Sequence, residues 1–193
     1  MNTSDLVEWQ IRSPKNGMIM AWWTHPILEF IETLDWKDKT MLETGAGRGT
    51  AWLRERCKWV DSIEADLAWA AQVQKDCDEY GLTNGRIFSA QLPDGVQERK
   101  QDYFDLIPND KKYDIISVDG IWRYEMLQWA LDHFKGRGGL LIADNFDQDY
   151  VWISPLANEL MMPYKDVEQI FYQPNHTNHE GKQWNTRIWH IQY

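Results

Sequence analysis

The chain has 193 residues, of which 43% are hydrophobic and 26% are charged, a composition that fits one globular domain and excludes a disordered or fibrous protein. It contains no run of about 18 apolar residues and no secretory signal, so we expect a cytoplasmic protein without a membrane partner. The formal net charge of −10 argues against a nucleic-acid partner, because phosphate binding depends on Lys and Arg side chains.

Strands and helices are predicted to alternate along the chain, after a helical leader or lid at residues 1–38 that includes an amphipathic segment at 26–34. The predicted strands are residues 40–43, 59–64, 86–90, 113–118 and 139–143. The predicted helices are residues 50–56, the segment that Asp66 caps and Gly81 ends, a weaker region before Pro108, the segment ending at Gly136, and 155–161. Two further strand-like runs, 167–172 and 186–192, predict a hairpin at the end of the chain.

This order predicts one α/β domain over residues 1–193, with a Rossmann-like core at 39–193. Its sheet is doubly wound and mostly parallel, and the C-terminal hairpin supplies an antiparallel strand. Ligands of such sheets bind beyond the carboxyl ends of the strands. The residues predicted at those ends are Glu43-Thr44, Glu64, Ala90-Gln91, Asp119-Gly120 and Asp144-Asn145.

The first of these ends leads into a glycine-rich turn, Gly45-Ala46-Gly47-Arg48-Gly49. A dinucleotide fingerprint requires its third glycine at the position that Thr50 occupies, so the spacing does not fit. Glu43 would also repel a pyrophosphate, whereas it suits a cationic ligand such as S-adenosylmethionine. Glu64 follows about 20 residues later, where an acid can accept hydrogen bonds from ribose hydroxyls. Asp66 is the competing candidate, but it is also the expected helix cap.

With these residues the chain resembles the class I S-adenosylmethionine-dependent methyltransferases. The resemblance covers about residues 22–189 and rests on ETGAGRG at 43–49, SIEAD at 62–66, VDG at 118–120 and GGLLIADN at 138–145. It implies a seven-stranded sheet. It also implies that Glu43, Thr44, Gly45, Ala46 and Gly47 hold the methionine part of the cofactor, with Asp119 near that end. Glu64 and Ala65 would lie at the ribose, and Ala90 and Gln91 at the adenine.

Asp119 and the Asp144-Asn145 pair predict a cluster of oxygen ligands suited to Mg²⁺ or Ca²⁺. The arrangement is similar to the metal-dependent catechol, caffeoyl-CoA and macrocin-type O-methyltransferases. The catechol-type enzymes carry a lysine base three residues after the first Asp, where this chain has Trp122 and then Arg123, a poor base. Either another group takes the proton or the metal chemistry is absent, because Asp-Asn also ends strands in methyltransferases that bind no metal.

Histidines and tryptophans supply the remaining site candidates. We expect Asp119, Arg123 and His179 to be the catalytic residues, with His25 as an alternative for proton transfer. His176 and His179 lack a third ligand at zinc-site spacing. Tryptophans lie near the expected site and would either wall a pocket for an aromatic or sugar-like substrate or pack in the core: Trp22, Trp23, Trp122, Trp152 and Trp184.

These observations predict a methyltransferase that uses S-adenosylmethionine on a small molecule, at oxygen, with possible help from Mg²⁺. Two alternatives stay open. One is a protein or nucleic-acid methyltransferase, although the motif for adenine or cytosine amino methylation is missing after the fourth strand. The other is a cofactor-binding subunit without catalysis of its own, which the missing lysine favours.

Overall fold

The computed structural model describes residues 11–91, 99–146, 156–177 and 183–193. Its helices are α1 (His25–Glu32), α2 (Thr50–Arg56), α3 (Leu67–Glu79), α4 (Lys100–Phe104), α5 (Arg123–Phe134), α6 (Leu156–Met161) and a 3-10 helix (Met162–Val167). Its strands are β1 (Thr40–Thr44), β2 (Trp59–Glu64), β3 (Gly85–Ser89), β4 (Ile115–Val118), β5 (Gly139–Asp144), β6 (Glu168–Thr177) and β7 (Gln183–Ile191).

The seven strands form one sheet in the order β3-β2-β1-β4-β5-β7-β6. Strands β1 to β5 pair in parallel, and β7 runs antiparallel between β5 and β6. The predicted doubly wound, Rossmann-like sheet with a C-terminal antiparallel hairpin is therefore confirmed. The strand order reverses between β1 and β4, which is the switch point where sheets of this kind bind ligands.

The hairpin is the element whose bounds differ most from the prediction. Both of its strands extend further toward the turn than the apolar pattern indicates, and their register shifts between Tyr172 and Thr177. Antiparallel pairing continues into polar sequence because each strand supplies hydrogen-bond partners for the backbone of the other, whatever the side chains are. The apolar pattern therefore marks only the part of the hairpin that packs on the core.

The central strands are buried on both faces, between two apolar clusters. Met41 of β1 belongs to one cluster, together with Ile27 of α1, and Leu42 belongs to the other, together with Phe134 of α5. Neighbouring side chains separate in this way because successive residues of a strand point to opposite faces of the sheet. Burial on both faces also explains the continuous apolar run of β5.

The ends of α3 follow the sequence signals. Asp66 caps the helix, since its Oδ1 accepts hydrogen bonds from the backbone N–H groups of Ala68 (2.8 Å) and Trp69 (3.0 Å). Gly81 follows the helix with a φ of 70°, a conformation that residues with a side chain rarely adopt. Both predicted ends of this helix are confirmed.

The leader is attached to the core through α1 and the residue that ends it, Glu32. The Glu32 carboxylate accepts a hydrogen bond from Trp52 Nε1 (3.1 Å) and forms ion pairs with Arg56 (3.0 Å) and Lys15 (2.7 Å). These contacts fix the segment before α1 against α2, on the side of the sheet where the glycine turn lies. No helix in the described ranges is long and apolar enough to cross a membrane.

Candidate functional site

A cavity of about 720 Å³ lies beyond the carboxyl ends of β1, β2 and β4. Residues 19–23 of the leader and residues 45–49 of the glycine turn line it, together with the side chains of Glu43, Glu64 and Asp119. Its volume lies within the range of small-molecule sites, about 300–1,000 Å³. Three of the five strand ends that the sequence predicts to meet therefore border one cavity, and the leader covers them.

The glycine turn is shaped by close approach of the backbone. Gly45 has a φ of 81°, and a Cβ atom placed on it would lie 2.7 Å from the backbone nitrogen of Gly120. A Cβ atom on Gly49 would lie 2.3 Å from the Cα atom of Ala21 in the leader. A Cβ atom on Gly47 would have no neighbour within 4 Å. Gly45 and Gly49 therefore let the turn approach the end of β4 and the leader. The space beside Gly47 would accommodate a side chain.

The acid that precedes this turn, Glu43, is buried. In the sheet it lies between Ser62 of β2 and Ser117 of β4. Its Oε2 accepts hydrogen bonds from Ser62 Oγ (2.7 Å) and Thr50 Oγ1 (2.8 Å). Burial raises the pKa of Glu43 to about 7, although these hydrogen bonds and the charge of Arg54 oppose the shift. The site therefore holds a carboxylate whose ionisation a nearby positive charge would favour.

The second acid, Glu64, lies at the carboxyl end of β2 and is partly exposed to the cavity. One of its oxygens accepts a hydrogen bond from the backbone N–H of Asp66 (3.0 Å), and burial raises its pKa. Trp69 also lines the cavity, with its indole N–H donating to the carbonyl of Ala46 (2.8 Å). Sequence reasoning missed Trp69, although its position three residues after the cap of α3 could have indicated it.

The third acid, Asp119, directly follows β4 and is held by neighbours on three sides. Its backbone N–H donates to Thr44 Oγ1 (3.0 Å), and that hydroxyl donates to the Asp119 carbonyl (2.7 Å). Its Oδ1 accepts from the backbone N–H of Gly120 (2.8 Å) and forms an ion pair with Arg123. Thr44 is fully buried, so its side chain connects β1 to β4 and does not line the cavity.

The other residues predicted at the cofactor are not among those that line this cavity. Ala65 is buried in the apolar cluster that contains Leu42, and Ala90 packs against the same cluster. Gln91 is exposed, and its side-chain oxygen accepts from the backbone N–H of Leu67 (3.4 Å). The assignment of Ala65, Ala90 and Gln91 to the ribose and adenine stays a prediction.

Solved structures with the same architecture are methyltransferases of several kinds. TYW2 from M. jannaschii in complex with AdoMet has 12% identity and a TM-score of 0.56, with 93% of this chain and 84% of that chain covered. The tRNA (m1A58) methyltransferase TrmI from Aquifex aeolicus has 14% identity and a TM-score of 0.56, with coverages of 95% and 71%. SMU.1697c, a putative methyltransferase from Streptococcus mutans in complex with SAH, has 13% identity and a TM-score of 0.58, with coverages of 86% and 98%.

The chain has the class I methyltransferase fold. No family model matches the sequence, and no curated protein matches it. At 12–14% identity these likenesses establish the fold alone, including the seven strands that the resemblance implies. The chemistry of the site has to be argued from the residues that line it.

In this methyltransferase fold, the predicted metal ligands surround a guanidinium group. Arg123 Nη1 donates to the backbone carbonyl of Asp144 (2.8 Å) and to Asn145 Oδ1 (3.1 Å), while Nη2 pairs with Asp119. The Asp144 carboxylate does not line the cavity, because it is buried and accepts a hydrogen bond from Thr186 Oγ1 of β7. Burial and the charge of Asp119 raise the pKa of Asp144. Across the described ranges, no three His, Cys, Asp or Glu residues are grouped so that they could hold a metal ion.

The tryptophans that the sequence predicts near the site do not all line the cavity. Trp22 and Trp23 line the cavity, and Trp22 is 47% exposed. Trp122 packs in the core, the second of the two predicted alternatives: it is buried at the start of α5, with its ring 5.4 Å from that of Tyr103. Trp184 is half-buried in β7 and does not line the cavity. Trp152 lies outside the described residues.

Among the histidine candidates, the structure describes the side chain of His25, which does not line the cavity. His25 begins α1, where its backbone N–H donates to Gln173 Oε1 (2.8 Å). His179 and the side chain of His176 lie outside the described residues. The catalytic role predicted for His179 therefore stays a prediction, and Arg123 and Asp119 are the predicted catalytic residues that the structure brings to the cavity.

Proposed function

We propose that this protein is a methyltransferase that binds S-adenosylmethionine in the cavity at the ends of β1, β2 and β4. The observation that carries this proposal is that Glu43, Glu64 and Asp119 line one cavity. Burial is the main cause that raises the pKa of both Glu43 and Glu64, and the negative charge of Asp119 raises it further. A ligand that carries positive charge relieves this repulsion, whereas a pyrophosphate would add to it.

The residues present fit this cofactor. Glu43 and Asp119 lie where the ammonium and sulfonium groups of the methionine part would find negative charge. Glu64 stands at the end of β2 with a carboxylate that can accept from ribose hydroxyls. Trp69 presents an indole ring to the same cavity, which suits the apolar surface of the nucleoside. S-adenosylmethionine supplies, when bound, a methyl group on a positively charged sulfur.

The chain itself contributes positioning and exclusion of water. Residues 19–23 cover the cavity, and Gly49 allows the leader to contact the glycine turn directly. A transfer of this kind is helped mainly by holding the acceptor in line with the methyl group. Arg123 and Thr44 fix Asp119 from two sides and thereby define the geometry of this part of the cavity.

The proposed acceptor is a small molecule that is methylated at oxygen. Three aromatic residues at the cavity, Trp22, Trp23 and Trp69, support an aromatic or sugar-like acceptor. The net charge of −10 weighs against a long nucleic acid, which requires a basic surface. RNA methylation remains the second candidate because TrmI, which has the same fold, is a tRNA methyltransferase, and Arg48 places an exposed cation at the cavity. A cofactor-binding subunit without catalysis is the third.

Calorimetry tests cofactor binding, with S-adenosylmethionine, S-adenosylhomocysteine and NAD⁺ as separate titrants. We expect the first two to bind and NAD⁺ not to bind. Glu64→Ala should weaken the binding of S-adenosylmethionine about tenfold to a hundredfold, as expected when hydrogen bonds to a charged group are lost. Glu79→Ala is the matched control, because Glu79 is an exposed acid at the end of α3 that pairs only with Lys75 among the ion pairs described. Absence of S-adenosylmethionine binding, or binding of NAD⁺ in its place, would refute the proposal.

A second experiment separates the acceptor classes. Phenols, catechols, sugars and a structured RNA are incubated with the protein and S-adenosylmethionine, and formation of S-adenosylhomocysteine is measured. Turnover with a small hydroxyl compound supports the proposed acceptor class, and turnover with RNA alone establishes the second candidate. Cofactor binding without turnover of any of these acceptors favours the third candidate, a cofactor-binding subunit without catalysis.

A further inference from the structure

The carboxyl ends of β4 and β5 meet around one buried cation, the guanidinium group of Arg123. The residue is 8% exposed and lines the cavity. Its Nε donates to the carbonyl of Gly120 (2.9 Å), and Nη1 donates to the carbonyl of Asp144 (2.8 Å) and to Asn145 Oδ1 (3.1 Å). Its Nη2 forms the ion pair with Asp119. All three guanidinium nitrogens are therefore bound to oxygen atoms.

These acceptors include the kinds of oxygen that a divalent cation takes in proteins, namely a carboxylate, a backbone carbonyl and a side-chain amide. We propose that Arg123 is the resident cation of this part of the cavity and stands in the place of a divalent metal ion, so that the site works without one. The proposal rests on the function proposed above, because it concerns the same cavity. Metal binding can nevertheless be measured without any cofactor.

A metal ion could enter this position only by displacing Arg123. The displaced guanidinium would lose its oxygen partners, and an arginine cannot release its proton to offset that cost. The ligand set would also be poor. The Asp144 carboxylate faces Thr186 in the neighbouring strand, which leaves Asp119 as the one carboxylate of the predicted set at the cavity. Mg²⁺ gives up its water reluctantly and requires near-ideal octahedral geometry.

Arg123 also acts as a positioning residue for Asp119. The guanidinium is planar, and its nitrogens are fixed relative to one another, so contacts to Gly120, Asp144 and Asn145 determine where Nη2 lies. The Asp119 carboxylate is thereby held at the cavity, with its Oδ1 bound. A lysine would keep the charge but could not bind all of these oxygens in the same geometry.

The first test measures metal binding directly, by electron paramagnetic resonance with Mn²⁺ as the probe on the full chain. We expect no Mn²⁺ site that depends on Asp119, and the affinity for S-adenosylmethionine should be the same in EDTA as in Mg²⁺. A stoichiometric Mn²⁺ site that disappears in Asp119→Asn would overturn the proposal. Failure of S-adenosylmethionine to bind in both conditions would instead refute the proposed function, so the two failures are distinguishable.

The second test removes the cation and then supplies it from solution. Arg123→Ala should lower the melting temperature by about 5–10 °C, because it leaves buried oxygens unpaired in a chain of this size. Millimolar guanidinium ion should restore part of that loss in Arg123→Ala, whereas urea, its neutral analogue, should not. Arg137→Ala is the matched control, since Arg137 pairs with Asp114 before β4, at the opposite end of that strand.

Guanidinium ion should not raise the melting temperature of the control or of the native chain. If Arg123→Ala does not fold, Arg123→Lys serves instead, with a smaller loss of melting temperature expected and no gain of a Mn²⁺ site. An Arg123→Ala protein that melts like the native chain, or one that urea and guanidinium ion affect equally, would overturn the proposal.

Discussion

The turn between β1 and α2 depends on a glycine at position 45, and Gly45→Ala tests this dependence. Alanine at a φ of 81° costs about 1–2 kcal/mol, because Cβ then approaches the following carbonyl oxygen. The new Cβ would also lie 2.7 Å from the nitrogen and 2.9 Å from the Cα atom of Gly120. Both atoms belong to the backbone, so relief requires moving the end of β4 against β1, which costs about 1–3 kcal/mol more. We expect a total loss of about 2–5 kcal/mol in the free energy of unfolding.

Two further glycines separate these contributions. Gly136→Ala places a methyl group at a φ of 73° with no atom within 4 Å, so it measures the conformational cost alone. Gly47→Ala lies in the same turn as Gly45, has neither a positive φ nor a close neighbour, and should change stability by less than about 0.5 kcal/mol. Urea unfolding of the three variants gives the free energies of unfolding. The slope of free energy against urea concentration is compared between the variants as a check. The reasoning is refuted if Gly45→Ala costs no more than Gly136→Ala.

Two other predictions concern buried polar groups of the site. Because the pKa of Glu43 is raised from 4.5 to about 7, its contribution to stability is fully present below pH 4.5 and is lost as the pH rises through 7. Relative to Glu43→Gln, the native chain should therefore lose about 3 kcal/mol over that range in urea unfolding. If the free energy of unfolding has the same pH dependence in the native chain and in Glu43→Gln, this prediction is contradicted. Thr186→Val removes the hydroxyl that accepts from the Thr24 N–H (3.0 Å) and donates to Asp144, and should cost about 2–4 kcal/mol. The control Thr33→Val, at an exposed position, should cost less than about 0.5 kcal/mol, and equal losses would argue against the buried role.

The elements of the sheet could be predicted because their signals are local. Asp66 caps α3 through its own neighbours Ala68 and Trp69, and Gly81 supplies the conformation that ends the helix. The bounds of β2 and α2 also agree with the prediction. The hairpin is less well predicted because its outer part is held by backbone pairing and carries no apolar pattern.

The residues of the site can be predicted only in part from the sequence, because the contacts of the site join segments that are distant in the chain. Trp69 lines the cavity because α3 turns its first residues toward the glycine turn, and Trp122 is buried because the start of α5 packs on Tyr103. The burial of Trp122 does not depend on residues next to it in the chain, because Tyr103 belongs to α4. The leader was expected to cover the cofactor, but which of its residues line the cavity depends on the approach of Ala21 to Gly49.

By itself, the sequence determined the order of the strands and helices and which strand ends carry acids. Both follow from local patterns and from the rule that parallel strands place their carboxyl ends at one edge of the sheet. Only the tertiary structure decided what those acids contact. Glu43, Glu64 and Asp119 share one cavity, whereas Asp144 is paired with Thr186 because β7 lies beside β5. The place predicted for a metal ion is taken by Arg123, because its side chain reaches oxygens at the ends of two neighbouring strands.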